Sequence, residues 1–192
     1  MVSQIKVNEI IKQSGSSITI GESGTTISIP SGATIANSGT ATGFTDSEVS
    51  FKITQNSNQN VSTATTTVVV FDSTTNGFDQ GSNFNTSNYK FTAPSAGRYF
   101  FHSSVLIEYG NAAGEYGNLT FKVNGSDRQA AMRQVVDGDP TLGSNLQLSS
   151  ILNLSANDTV EVNIYHTQGG TQAIDSNEDF TYFMGFKLWQ VN

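Results

Sequence analysis

Phe91-Thr-Ala-Pro94-Ser-Ala-Gly97-Arg-Tyr99-Phe100-Phe101 is the stretch on which the fold turns. Pro94 cannot donate to a ladder, so it ends the strand that Phe91 opens. Gly97 lets the chain reverse without a Cβ clash. Beyond it, side chains alternate across a pleated strand, placing Tyr99 and Phe101 on one face and Phe100 and His102 on the other. Two strands joined by a Pro/Gly turn, with aromatics on both faces of the second, announce a β-protein with a large aromatic core.

Working outward, the same grammar repeats. Alternating or apolar runs occur at Val68–Phe71, Tyr99–Phe101, Val105–Ile107, Leu119–Val123, Leu146–Leu148, Ile151–Leu154, Val160–Ile164 and Phe183–Trp189. Turn formers lie between them: Asn76-Gly77, Pro94, Asn124-Gly125, Asp137-Gly-Asp139-Pro140 and Asn157-Asp158. Eight short strands at this spacing predict a sandwich or barrel. Asn124-Gly125 predicts a tight type I′ hairpin. Only 13% of the 192 residues are charged, and no long run of Ala, Leu, Glu, Lys and Gln offers a helix. The fold class expected is all-β.

Residues 1–44 and 45–192 are written differently. The first stretch holds no aromatic residue before Phe44, whereas the second carries eleven of the twelve Phe, all six Tyr and the Trp. In the first, Ile18-Thr-Ile20 recurs nine residues on as Ile27-Ser-Ile29, and Ile35 begins a fainter third unit. Turn formers separate the units: Gly21-Glu-Ser-Gly24, Pro30-Ser-Gly32 and Asn37-Ser-Gly39. This reads as a short β-repeat, each unit a brief strand and a turn. Two Ile side chains contribute about 1.5–3 kcal/mol each when buried. Ordering the backbone costs about 1–2 kcal/mol for each residue of a unit. One chain cannot cover that deficit, so the Ile stripe calls for copies of itself, three chains around one axis.

Charge and composition exclude several functions. The formal charge is −7, and no two of the nine basic residues are adjacent. A phosphate-binding surface needs clustered Lys and Arg, so nucleic acid and anionic membranes are not expected partners. The absence of Cys removes disulfides, thiolate metal sites and cysteine nucleophiles. The N-terminus lacks the basic and apolar regions of a signal peptide, and no run approaches the ~18 apolar residues of a membrane span. Neither His102 nor His166 stands in a metal or triad motif, and the Gly-x-Ser-x-Gly elbow, the Gly-Lys-Ser phosphate loop and the His-Glu-x-x-His helix are missing. The expectation is a protein that is not an enzyme and needs no cofactor. The acidic loops Asp137/Asp139 and Asp175/Glu178/Asp179 supply carboxylates of the kind that bind Ca²⁺, without the spacing of an EF-hand.

The spacing from Asp79 to Phe101 resembles the globular-head family of complement component one, subcomponent q, whose fold is a tumour-necrosis-factor-like jelly roll. That family shows an Asn or Asp, four residues, an aromatic, six residues, Phe, five residues, then Gly-x-Tyr-x-Phe. Asp79, Phe84, Phe91, Gly97, Tyr99 and Phe101 fall on those positions. Ile151-Leu-Asn-Leu-Ser-Ala-Asn-Asp158-Thr-Val160 and Phe183-Met-Gly185-Phe186 resemble the family's later strands. Two positions depart: the family's first Phe falls on Ser73, with Phe71 two residues early, and its final aromatic falls on Ser103. The resemblance implies a ten-stranded-type jelly-roll sandwich over residues 45–192 and, from the family's habit, a tight homotrimer. Tyr99, Phe101, Phe183 and Phe186 would fill its core and subunit contacts, and Ile18, Ile20, Ile27 and Ile29 those of the stem. Some relatives bind calcium near the top of the trimer.

Residues 3–44 resemble segments of bacteriophage tail-fibre and appendage proteins. Together the two resemblances imply a homotrimeric virion structural protein on the particle surface, a capsid decoration (cement) protein or short fibre. Its stem, residues 1–44, would contact capsid or tail proteins. The alternative is a receptor-binding adhesin reading a host surface glycan or protein through loops 109–117, 137–145 and 168–179.

Overall fold

The computed structural model describes residues 10–11, 17, 19–21, 23–34, 38, 49–107, 115–134 and 143–188. The chain divides into two units, 1–44 and 45–192. In the second, the described residues form thirteen strands in order: β1 Ser50–Thr54, β2 Gln59–Ser62, β3 Thr67–Val68, β4 Ser73–Gln80, β5 Phe84–Asn85, β6 Lys90–Thr92, β7 Gly97–Ile107, β8 Tyr116–Val123, β9 Ser126–Gln134, β10 Ser144–Leu154, β11 Thr159–His166, β12 Thr171–Ile174 and β13 Tyr182–Lys187. No helix occurs among the described residues.

Every pairing is antiparallel. The first sheet runs β4–β1–β13–β7–β10, with β12 and then β2 continuing past the end of β13. The second runs β9–β8–β11–β6–β5, with β3 past the end of β6. This is a two-layer all-β jelly roll.

Between the layers lie side chains that alternate along their strands. Tyr99 and Phe101 from β7, Leu119 and Phe121 from β8, Val160, Val162 and Ile164 from β11, and Phe183 from β13 are all essentially buried. Most of the aromatic rings meet edge-on or tilted, as their quadrupoles favour, with Phe51–Phe183 at 5.1 Å and 79° and Phe91–Phe101 at 5.4 Å and 65°, while Phe51–Phe91 and Tyr99–Phe101 stack. The Tyr99 hydroxyl, carried into this core, donates to the Ser95 carbonyl at 2.7 Å. Gly185 pairs with both Phe51 and Phe101. A Cβ there would stand 2.6 Å from Phe101 Cδ1 and 2.9 Å from the Phe100 carbonyl oxygen. The aromatic-Gly-Phe strand thus has Gly at its centre because the Phe101 ring occupies the space.

Four sequence expectations change. Asn76-Gly77 makes no reversal; it lies inside β4, where Lys52↔Phe78 and Thr54↔Ser73 leave extra residues on β4. Asn76 takes φ 57° and Gly77 passes against the Lys52 carbonyl, so the turn-forming pair builds a bulge. Val68–Phe71 is not one strand: after Val68 the chain crosses from the second sheet to the first, with Val69 and Phe71 buried. Its backbone is satisfied along the way, Val69 N–H by Val162 O and Val70 N–H by Gln59 Oε1. Tyr99–Phe101 and Val105–Ile107 fuse into the single strand β7, and Leu146–Leu148 and Ile151–Leu154 into β10, because the two pair along eleven residues. Asn124-Gly125 does form the β8–β9 hairpin, with φ 51° and 79°.

In residues 1–44, Gly21, Gly24 and Gly32 adopt φ of 83–85°, and Ala33 N–H closes a turn on Pro30 O. The repeat's first two turns are therefore present, Asn37 and Gly39 of the third lie outside the described residues, and no strand forms among the described residues there. Strands need a ladder partner, and these Ile-x-Ile segments find none among the described residues. Ile20, Ile27 and Ile29 stand 63%, 55% and 48% exposed. Ile18 and Ile35 lie outside the described residues, as do Asp137, Asp139, loop residues 109–114 and Trp189.

Candidate functional site

The strand order of the first sheet brings distant residues into rows on its outward face. Register places Phe186 beside Phe100, and Phe100 beside Ile151. The Phe100 and Phe186 rings lie 5.2 Å apart, yet Phe186 remains 44% and Ile151 59% exposed. One row along stand Phe78, Lys52, Met184, His102 and Ser149. Lys52 Nζ sits 5.1 Å from the centre of the Tyr182 ring, and Phe180, just before β13, is also exposed.

His102 occupies the middle of this face. Its Nδ1 lies 2.7 Å from Ser149 Oγ and its Nε2 3.3 Å from the Tyr182 hydroxyl. Desolvation by the surrounding strands holds the imidazole below the ordinary histidine range. The outward positions of β4, β1, β13, β7 and β10 carry no carboxylate among the described residues, only the cations Lys52 and Arg98. For a chain of charge −7, that is a marked local exception.

The outward face of the second sheet is built otherwise. Lys90 Nζ meets Glu161 Oε2 at 2.7 Å, and Asn163 Nδ2 donates to the same carboxylate. Thr120, Asn118 and Tyr165 extend this polar face. Burial opposes ionisation of Glu161, but the hydrogen bonds from Lys90 and Asn163 and the charges of Lys90 and Lys122 outweigh it and hold the carboxyl below its usual range. Above this face, Asp158 is held low by the Asn124 side-chain amide and the Ser155 N–H.

The predicted site residues fall in three groups. Tyr99, Phe101 and Phe183 lie in the core, whereas Phe186 faces outward. The acidic candidates Asp175, Glu178 and Asp179 do not converge on a common point. Asp175 accepts from its own turn at Asn177 N–H, and Glu178 accepts from Asn76 Nδ2. Asp179 stands exposed at the end of that turn, its backbone N–H donating to Asn177 Oδ1 at 3.0 Å. Asn177 and Asn76 hold their loop, and no group of three or more possible metal ligands occurs among the described residues. His166, on the inward side of β11, is fully buried, with Nε2 3.1 Å from the Val61 carbonyl oxygen. Sequence reasoning missed Ile151, Met184, Lys52 and Phe78 as members of one face. The signal for Ile151 was available: it is out of phase with Leu146, Leu148, Leu152 and Leu154.

Two shallow clefts lie among the described residues. One, of about 510 Å³, is lined by Ser82, Asn83, Asn85, Thr86, Thr92 and Asn157 around Phe84 and Pro94. The other, of about 440 Å³, lies between Ile151–Asn153 and the Asn124/Arg128/Asp158 corner.

Residues 50–188 match the family described as the C1q domain. Among solved structures, the globular domain of zebrafish complement 1qA is similar with a TM-score of 0.52 at 16% identity, over 74% of this chain and 99% of that one. Eiger TNF from S. frugiperda gives 0.53 at 10% identity over 76% and 95%. Murine APRIL gives 0.54 at 13% identity over 73% and 99%. At these identities the likeness is one of fold. No curated protein sequence matches the chain.

Proposed function

The chain belongs to the C1q domain family, and from that premise we propose that it is a non-enzymatic, homotrimeric structural protein of a bacteriophage particle, a capsid decoration or short fibre. The carrying observation is the row Phe186–Phe100–Ile151 on a face without carboxylates. Contiguous exposed apolar surface marks an interaction site, and a face free of acidic groups is where copies of an acidic chain approach with least repulsion. Three copies is the habit that the family resemblance implies. Ile20, Ile27 and Ile29, each about half exposed or more, support the same reading for the stem. The virion assignment rests on the resemblance of residues 3–44 to phage appendage segments.

Sedimentation velocity of the full chain tests the assembly: three chains per particle is the expected result, and a monomer at micromolar concentration sinks it. Electron microscopy of the parent particle with this protein labelled tests the location.

A second reading, a host-binding adhesin, is favoured by the cleft of Asn and Thr side chains beside Phe84, whose neutral donors and acceptors suit a sugar. Glycan-array and whole-cell binding separate the two, since a decoration protein binds the particle and ignores cells.

A further inference from the structure

We propose that self-association through the outward face of the first sheet is released by acid, and that His102 is the group that senses it. The inference rests on the assembly reading above and assigns that same face a regulation.

The neutral imidazole fits its place. With its proton on Nδ1 the ring can donate to Ser149 Oγ at 2.7 Å and accept from the Tyr182 hydroxyl at 3.3 Å, so one neutral tautomer satisfies both nitrogens without charge. The imidazolium is far less suited. From β13 the ring faces Tyr182 and Met184; from β10, Ser149, flanked by Gln147 and Ile151. Farther along the face β1 supplies Lys52 and β4 supplies Phe78, and β7 itself carries Arg98. None of these is an anion, and two are cations.

Within a single chain, burial already disfavours the charged ring. A second copy laid on this face removes the remaining water and brings its own Lys52, Arg98 and His102. The assembled state therefore binds fewer protons than the free chain. By linkage, lowering the pH then favours the free chain. Between the assembled state's lower pKa and the free chain's own, the penalty is about tenfold in association per pH unit for each imidazole covered, and about a thousandfold for three. The second histidine cannot substitute, because His166 points into the core from the other sheet.

The test is sedimentation velocity of the full chain at about pH 7.5 and about pH 5.0, with near-ultraviolet circular dichroism at both. The natural protein is expected to be assembled at the higher pH and to lose at least tenfold in association at the lower, with its dichroism unchanged. His102→Gln, which keeps a neutral donor and acceptor, is expected to stay assembled at both. Lys52→Gln is expected to move the acid midpoint downward, because one facing cation is gone. Assembly of the natural protein that does not weaken in acid, a His102→Gln variant that dissociates in parallel, an unmoved midpoint in Lys52→Gln, or release accompanied by loss of the dichroism signal each overturns the proposal. Single chains at both pH values sink the assembly reading itself.

Discussion

The two outward faces of this sandwich solve the same problem in opposite ways. Over the second sheet, Glu161 is nearly buried but is held by Lys90 and Asn163, so its polar groups are satisfied within one chain. Over the first, Phe186, Phe100 and Ile151 form a row that no other part of the described chain covers, and no carboxylate accompanies it. A β-sheet with one face in the core needs only polar residues on the other. Where that rule is kept, the face is finished by its own chain; where it is broken, the face requires a partner.

The comparison can be broken most severely from beneath. Gly185→Ala places a methyl group against Phe101 and the Phe100 carbonyl; overpacking of this kind costs about 3 kcal/mol. A domain of this size should then melt about 10 °C lower, disturbing both layers, as calorimetry would show.

A more selective break is Ile151→Glu. The side chain is 59% exposed, so monomer stability should change by less than ~0.5 kcal/mol. Association should weaken at least about a hundredfold if this row is the anchor, since central apolar contacts contribute about 2 kcal/mol or more each. Analytical ultracentrifugation paired with denaturant melts separates the two effects. Equal association in the variant would mean that the exposed row is only surface.

On the second face, Glu161→Gln removes the charge that Lys90 meets, at a cost of about 1–2 kcal/mol at neutral pH. The sign follows from the lowered carboxyl pKa. Ionised Glu161 stabilises the fold above its unfolded value near 4.5, and that stabilisation fades as pH falls toward the folded value. Melts of variant and natural protein should therefore converge in acid, while association stays unchanged. The smallest effect belongs to Asp127→Ala. Its carboxylate is mostly exposed and 3.6 Å from Lys122 Nζ, and pairs open to solvent contribute at most about 1 kcal/mol; urea melts should differ by less than ~0.5 kcal/mol.

Much of the sandwich was legible in the sequence. Alternation separated Tyr99 and Phe101 from Phe100 and His102 on opposite faces of one strand, and Asn124-Gly125 marked its hairpin, because both are consequences of short-range backbone geometry. The same short-range signals misread Asn76-Gly77, since Asn accepts a left-handed backbone in a bulge as readily as in a turn. They also misread Val68–Phe71, where burial comes from crossing between sheets.

The candidate site was legible only in pieces. Phe100, Ile151 and Phe186 each declare which side of their own strand they occupy, and composition alone established a β-protein poor in charge with an Ile repeat ahead of an aromatic-rich part. That these three residues form one row, and that the carboxylates of an acidic chain stay off the face they share, was decided by the pairing of β13 and β10 on either side of β7. Period-two patterning specifies the face of a strand; strand neighbours are chosen by contacts between residues far apart in the chain, which no local pattern encodes.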